Sequence, residues 1–390
     1  MGRLGFKGSQ RLVLHKDLGT QSLSTWFAIF FFVDKHNLES LRDEIDEIDT
    51  QIVRLLNQRV QAAVKIGRIK AELGVDPYDP AREEQVFEKL GAINDGPMQG
   101  DSLRTIYREV ISASIALEKD LVIAYLGPEA TYTHQAALKN FGAALSYRSM
   151  PDIPDVFESV EKGECEYGVV PIENSTEGAV NRSLDLLADT KLTIVAQVFL
   201  KVEHCLFSES EIGEIAEVRS KDQALAQCRE WLSRNLPQAR LVPVSSTAEA
   251  VGNCKGVPGI AAIAAKLAGG TGLPLQAEGI QDRKNNTTRF LVVARNPLPR
   301  REGVSYRTSL VLSLADRAGA LQNALKPFSD RDLNLCKIES RPSGKKTWDY
   351  FFFVDFIGHQ EDEEVLEAMK ELEKASPFVR HLGSYPETSL

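Results

Sequence analysis

The stretch RKNNTTRFLVVAR, residues 283 to 295, sets two hydroxyls and a guanidinium, Thr287, Thr288 and Arg289, at the mouth of an apolar run. In a chain of formal net charge −9, such a cation is either solvation at a strand edge or one wall of a pocket for an acid. A hydroxyl beside it can hydrogen-bond to a departing oxygen. Two more segments are as rich in hydroxyls and amides, GPEATYTH at 127 to 134 and PIENSTEGAV at 171 to 180. Ser, Thr and Asn also make turns and caps, so convergence of the three loops stays open. A second constellation is cationic: Arg42, Arg59, Lys70 and Arg82 lie in or beside apolar stripes with no evident nucleophile among them. Fixed cations around a cavity suit a small dicarboxylate that is bound and polarised without being attacked.

The elements that must hold these groups are readable in the pattern. Residues 38, 41, 45, 48, 52, 55, 59, 62, 66 and 69 step by three and four and are Leu, Leu, Ile, Ile, Ile, Leu, Arg, Ala, Ile and Ile. They predict a helix of about 35 residues, roughly 50 Å long, closed by Gly74 with Pro77 beyond. Such a helix cannot bury its own stripe and calls for other helices, including those of a second subunit. Arg59 inside the stripe needs a carboxylate, from a neighbouring Asp or Glu or from a ligand. Asp79 and Pro80 cap and open a second helix, whose first turns carry Arg82 and Glu83, and a third runs from about Asp101 to Lys119. From Leu121 apolar strands (LVIAYLG, YGVVPIEN, LTIVAQVFL, VEHCLFS, RLVPV, RFLVVAR) alternate with helical stretches, one of them opened by Ser246 and Glu249 at capping-box spacing. That order implies an α/β sheet with ligands at loops beyond strand ends. After the linker NPLPRREGVSYR the order is β-α-β-β-α-β, with a hairpin around Ser343 and Gly344 and a short last strand near Val379.

Composition narrows the function classes. A chain of 390 residues is long enough for about two to four domains. With 43% hydrophobic and 26% charged residues it falls in the soluble globular class, and its excess of acid argues against non-specific nucleic-acid binding. The five cysteines are odd in number and scattered, without C-x-x-C, which suits a reducing cytoplasm and leaves no zinc or disulfide framework. The apolar run in WFAIFFFVD is about eight residues, where a membrane span needs about twenty. AGGTG at 268 to 272 lacks nucleotide-loop spacing. No metal, cofactor, nucleic acid or membrane is therefore expected as a partner.

On these motifs, residues 38 to 119 resemble the all-helical chorismate mutases, through LRDEID, NQRV, GRIKAE, YDPARE and SASIALE. The resemblance implies chorismate bound by Arg42, Arg59, Lys70, Asp79, Arg82, Glu83, Ser114 and Glu118, with Lys70 and Glu118 catalytic and Arg42 reaching across a dimer. Rearrangement of chorismate to prephenate stays within one molecule, so it needs a held conformer and stabilised charge on the ether oxygen. Glu118 departs from those family members that carry a glutamine at this position. A glutamate donates only when protonated, so activity is expected to fall as pH rises unless its pKa is elevated.

Residues 122 to 297 look like prephenate dehydratase, through GPEATYTHQAA, PIENSTEGAV and TTRF. This implies two α/β lobes around a cleft, similar to bilobal periplasmic binding proteins. Thr288 would be essential, polarising or relaying a proton to the departing ring hydroxyl as carbon dioxide leaves. Arg289 would hold a prephenate carboxylate, and Asn174, Ser175 and Thr176 would orient substrate. His134 is read as a structural hydrogen-bonding residue rather than the general acid. Lys221 and Asp222 depart from the His-Pro that family members often carry before QALAQC. Residues 308 to 386 resemble an ACT domain, through GALQNAL and ESRP, which implies phenylalanine bound by Gly319, Ala320, Leu321, Asn334, Leu335 and Ser340.

The expected organisation is a multidomain chain: an N-terminal extension of uncertain structure (1–36), an all-α helical domain (37–120), a bilobal α/β domain (121–298) and an α+β ferredoxin-like module (307–386). The expected activity is that of a cytoplasmic bifunctional enzyme of phenylalanine biosynthesis. It takes chorismate through prephenate to phenylpyruvate under phenylalanine feedback, as a homodimer or higher oligomer. The competing reading is a non-catalytic sensor of an amino or aromatic acid, which would bind without turnover. A third has only one catalytic domain alive.

Overall fold

A computed structural model describes residues 23–342 and 350–388, with side chains from Asn37 onward except Thr271. Residues 1–22 of the expected extension and the turn at Ser343 and Gly344 lie outside the described residues. Helix α1 (Leu23–Glu72) starts well before Leu38. Once a helix is nucleated each further residue adds a hydrogen bond, and the run from Leu23 to Asn37 contains no Pro or Gly to stop it. Among the described residues no helix is long and apolar enough to cross a membrane.

The chain divides between Arg59 and Val60 into two compact units. In the first, α1 turns the predicted stripe to water: Leu38, Leu41, Ile45, Ile48, Ile52 and Leu55 are 47% to 63% exposed.

The second unit takes in the end of α1 and then α2 (Pro80–Ile93) and α3 (Gly100–Glu118). Asp79 caps α2 as predicted, its carboxylate accepting from the Arg82 N–H at 2.9 Å. Tyr78, Phe87, Ile111 and Ile115 share one core with Ile123, Tyr125, Phe141 and Tyr167. Within this unit α2 and α3 are thus packed against the α/β segment, with the Tyr78 ring 4.6 Å from that of Phe141.

Two α/β lobes follow. The first comprises β1 (Val122–Leu126), α4 (Tyr132–Phe141), β2 (Ser146–Met150), α5 (Ile153–Glu161), β3 (Tyr167–Asn174), β4 (Gly178–Ala179), α6 (Asn181–Asp189) and β5 (Thr193–Lys201). The second comprises β6 (His204–Phe207), β7 (Glu217–Ser220), α7 (Asp222–Gln227), α8 (Arg229–Asn235), β8 (Arg240–Pro243), α9 (Thr247–Gly252), β9 (Ile260–Ala265) and β10 (Leu275–Ala277). The chain then returns to the first lobe as β11 (Thr287–Ala294). Strand order is β2-β1-β3-β11-β5 in the first sheet, with β4 on β3, and β10-β6-β9-β7-β8 in the second. Because β11 is inserted antiparallel between β3 and β5, the entrance of β11 lies beside the end of β3. At α9 the Ser246 hydroxyl accepts from the Glu249 N–H, and the Glu249 carboxylate reaches back to accept from the Ser245 N–H at 3.1 Å.

The C-terminal module has the predicted order: β12 (Tyr306–Ser313), α10 (Ala320–Ser329), β13 (Leu335–Pro342), β14 (Tyr350–Ile357), α11 (Glu363–Ala375) and β15 (Phe378–Pro386). Its antiparallel sheet runs β13-β14-β12-β15. Leu310, Leu312, Val354 and Phe356 face the two helices. The alternate residues Val311, Phe351 and Phe353 pack with Leu291, Val293 and Ile194 of the first lobe. The last strand is longer than expected because it is pressed onto β5. A Cβ on Gly383 would meet the Ile194 carbonyl oxygen at 2.1 Å, so only glycine lets the two backbones approach.

Candidate functional site

The candidate site is built where β3 and β11 run side by side. Asn174 and Thr288 are cross-strand partners. The Asn174 Oδ1 accepts from the N–H groups of Thr176 at 2.9 Å and Glu177 at 3.1 Å, which fixes the amide with Nδ2 turned the other way. Nδ2 donates to Thr288 Oγ1 and to Asn286 Oδ1, each at 2.7 Å. Thr288 therefore accepts from Asn174, and its own hydroxyl proton has no acceptor among the described residues.

The bonded amides continue outward from Asn286. Gln227 Nε2 donates to Glu177 at 3.1 Å, so its Oε1 accepts from Asn286 Nδ2 at 3.2 Å and from His204 Nε2 at 2.8 Å. Burial lowers the His204 pKa, which keeps the ring neutral and turns the bare Nδ1 to the Tyr132 hydroxyl at 2.9 Å, whose one proton is shared with the Glu203 carbonyl at 2.8 Å. The three loops that the sequence could not join are thus joined, through Tyr132, Asn174 with Glu177, and Asn286 with Thr288. His204 and Gln227 of the second lobe are the links. Lys221 is the N-cap of α7 and Asp222 its first residue, so the departing dipeptide starts the helix whose last residue is Gln227.

Ser175 ties the loops by its own bonds, accepting from the Thr287 N–H at 3.0 Å and donating to the Asn285 carbonyl at 3.2 Å. The Thr176 hydroxyl is buried without a partner. His134 accepts from the Ala130 N–H at 3.1 Å through Nδ1 and stacks on Tyr125 with ring centroids 4.5 Å apart, and burial lowers its pKa. These contacts favour the structural role expected for it.

Arg289 requires a correction. Successive side chains on a strand point to opposite faces, so Arg289 faces away from Thr288 and the amides bonded around it. Arg289 is 3% exposed and bonded to Gln197 at 2.9 Å, Glu173 at 3.1 Å, Asp355 at 2.6 Å and Tyr385 at 2.8 Å. These partners leave it no prephenate carboxylate to hold. Burial alone would lower its pKa, but Tyr385 and Asp355 outweigh that and raise it. Burial likewise opposes the Glu173 carboxylate, yet Lys337 and Arg289 together hold its pKa below the usual range.

In the helical segment, Lys70 Nζ donates to the Pro77 carbonyl at 2.9 Å and acts electrostatically on both Glu83 and Glu118. Glu118 leans over Gly67, where a Cβ would meet its Cγ at 2.5 Å. Burial raises its pKa, with Lys70 opposing. Glu83 is buried and paired with Arg108; its Oε1 has no hydrogen-bond partner, and burial pushes the carboxyl above its ordinary value despite Arg108. Asp79 is gripped by Arg301 at 2.6 Å, a partner no motif suggested. Arg82 is exposed and reaches Gln85 at 3.4 Å, while Ser114 donates to the Val110 carbonyl one turn back at 2.8 Å. Arg42 and Arg59 belong to the other unit, as exposed and half-buried residues of α1.

In the C-terminal module, Gly319 is the left-handed N-cap of α10, φ 78°, with Ala320 and Leu321 in the first turn. Asn334 and Leu335 lie at the start of β13 and Ser340 farther along it, on the open edge of the sheet. Sequence reasoning missed Gln227, His204, Asn286 and Tyr132 as site residues. The only signal for Gln227 and Asn286 was their place in quoted motifs, QALAQC and NNTTRF.

Known proteins match all three segments of the chain. Family models match residues 41–119 (chorismate mutase type II), 123–298 (prephenate dehydratase) and 308–374 (ACT domain). A bifunctional chorismate mutase/prephenate dehydratase of Aquifex aeolicus is 44% identical over 359 residues, 90% of this chain and 99% of that one. One from Neisseria gonorrhoeae is 43% identical over 356 residues, 90% and 97% of the two chains. Among solved structures, a prephenate dehydratase of Arthrobacter aurescens in complex with L-Phe matches 68% of this chain and 90% of its own, with TM-score 0.64 and 36% identity. Relatives aligned through all three segments and nearly end to end leave one conclusion, that the chain belongs to the bifunctional chorismate mutase/prephenate dehydratase family.

Proposed function

We propose that the two activities of the family are carried here by two separate groups of side chains, and that phenylalanine acts through the ACT domain. In the dehydratase step, prephenate lies in the cleft with its ring hydroxyl at Thr288. The bond to the ring carboxylate breaks, its electron pair enters the ring, and the hydroxyl leaves with a proton as water, giving carbon dioxide and phenylpyruvate. A threonine hydroxyl is a weak acid, so Thr288 polarises the leaving oxygen or relays a proton replaced from water. The observation that carries this reading is the Asn174 Nδ2 at 2.7 Å from Thr288 Oγ1, which occupies the oxygen as acceptor and directs the hydroxyl proton to substrate. Asn174 then acts on Thr288 as much as on prephenate, and the unpartnered Thr176 hydroxyl is free to bind the ligand.

In the mutase step, Lys70 and a protonated Glu118 donate to the ether oxygen. Glu83 accepts from a ring hydroxyl through its unpartnered oxygen, and Arg42 and Arg59 hold carboxylates. The exposed stripe of α1 is buried by a second copy of the chain, which brings Arg42 into the neighbouring site. Gly319 to Leu321 and Asn334, Leu335 and Ser340 hold phenylalanine, and the protein works in the cytoplasm.

The test supplies chorismate and prephenate separately, with and without phenylalanine, and follows phenylpyruvate. Both substrates should be converted and phenylalanine should suppress the second step. Conversion of only one would remove half of the proposal, and binding without turnover would favour a sensor.

A further inference from the structure

Neighbouring residues of β11 serve two faces of one sheet. Thr288 pairs across to Asn174 and Arg289 to Glu173; the first pair joins the amides that lead through Asn286 to Gln227, and the second is bonded to Asp355 and Lys337 of the ACT domain. Asp355, which accepts from Arg289 at 2.6 Å, also accepts from the Ser309 hydroxyl at 2.6 Å. Glu173 is bonded in turn to Lys337 of β13. The register of β11 on β3 slips between Arg289 and Phe290, so a bulge, which bends a strand locally, lies directly beside this pair. Burying such a cluster is seldom the most stable solution, since apolar residues of similar volume often do as well or better. Its geometry is what it supplies.

We propose that Arg289 is a positioning residue for the dehydratase reaction: by clamping β11 and β3 to the ACT domain through Asp355, Tyr385 and Glu173 with Lys337, it sets the distance between Asn174 and Thr288. The inference rests on Thr288 being the dehydratase residue and on the ACT domain binding phenylalanine. Lys337 lies on β13 between Leu335 and Ser340, so a shift of that edge strand on ligand binding changes the grip on Glu173. The movement is passed to Asn174, the next residue. A ligand can move such an equilibrium only by its differential affinity for the two positions.

Lys337→Met in the full chain removes the charge and keeps the stem. Mutase rate and phenylalanine binding, measured by calorimetry without prephenate, are expected to persist, while the phenylalanine needed for half-inhibition rises at least about fivefold. An unchanged inhibition curve with binding intact overturns the coupling. If the wild-type chain neither binds phenylalanine nor is inhibited by it, the regulatory reading fails by itself and Arg289 decides the positioning role. Arg289→Gln should lower dehydratase kcat about tenfold or more with KM near wild type, because an ångström of misplacement can cost ~10²-fold. Arg289→Lys should recover part of the loss, and mutase kinetics should be spared. A folded Arg289→Gln chain with wild-type kcat overturns the positioning role. If that variant does not fold, Asp355→Asn is read by the same kcat and KM criteria.

Discussion

Around Thr288 the polar groups are oriented within one chain, each amide fixed by the next from Asn174 to Gln227. Along α1 the apolar stripe that should accompany Arg42 and Arg59 faces water, with Leu55 63% exposed. A site whose donors are aligned by its own hydrogen bonds is ready before substrate arrives. A helix whose apolar face is uncovered needs another surface before it is rigid enough to hold a ligand. The two activities should therefore differ in what disrupts them.

The largest separation is expected from Thr288→Val. It should lower dehydratase turnover by roughly 10²–10⁴-fold while mutase kinetics stay within error, as read by phenylpyruvate formation from prephenate and loss of chorismate. Near-normal turnover of prephenate in that variant would remove Thr288 from the mechanism.

Next in size is Ile48→Asp. Each isoleucine buried between copies is worth about 1.5–3 kcal/mol, a roughly ten- to hundredfold change in association. Sedimentation should show a weaker oligomer and mutase activity should become concentration-dependent, with the dehydratase retaining its rate at the same dilution. Unchanged assembly and mutase rate would mean that the stripe is not a subunit contact.

The smallest effect tests Glu118. Its folded-state pKa is raised, so the neutral, donating form persists to higher pH than in an exposed glutamate and is lost as pH rises through that value. Wild-type mutase rate should fall above it by up to about tenfold per pH unit. Glu118→Gln should flatten the profile. A wild-type rate that climbs over the same range would exclude Glu118 as donor.

Much of the architecture was visible because it is periodic. The three-and-four spacing located α1, Asp79 with Pro80 located the start of α2, and the β-α-β-β-α-β order located the last module. The helix start was misjudged because side-chain patterning marks a buried face, whereas helix continuation needs only the absence of breakers. The place of Arg289 follows from a period that the sequence does display: whichever face Thr288 takes, a two-residue repeat sends Arg289 to the opposite one. His204 and Gln227 were invisible for another reason. They meet Asn286 and Tyr132 only after two lobes have folded together, and local spacing carries no record of that. The Asp79 bond to Arg301 spans 222 positions and is hidden in the same way.

Tyr78 belongs by order to the mutase and by neighbours to the dehydratase, its ring lodged among Phe141 and Tyr167. A gene cut after Lys119 would strand that tyrosine together with Phe87, Ile111 and Ile115, and leave the other fragment with bare aromatics, each worth about 1.5–3 kcal/mol of lost burial. Fusion has gone past tethering. The catalysts have exchanged interior, and separating them again would require a new surface on both sides of the seam.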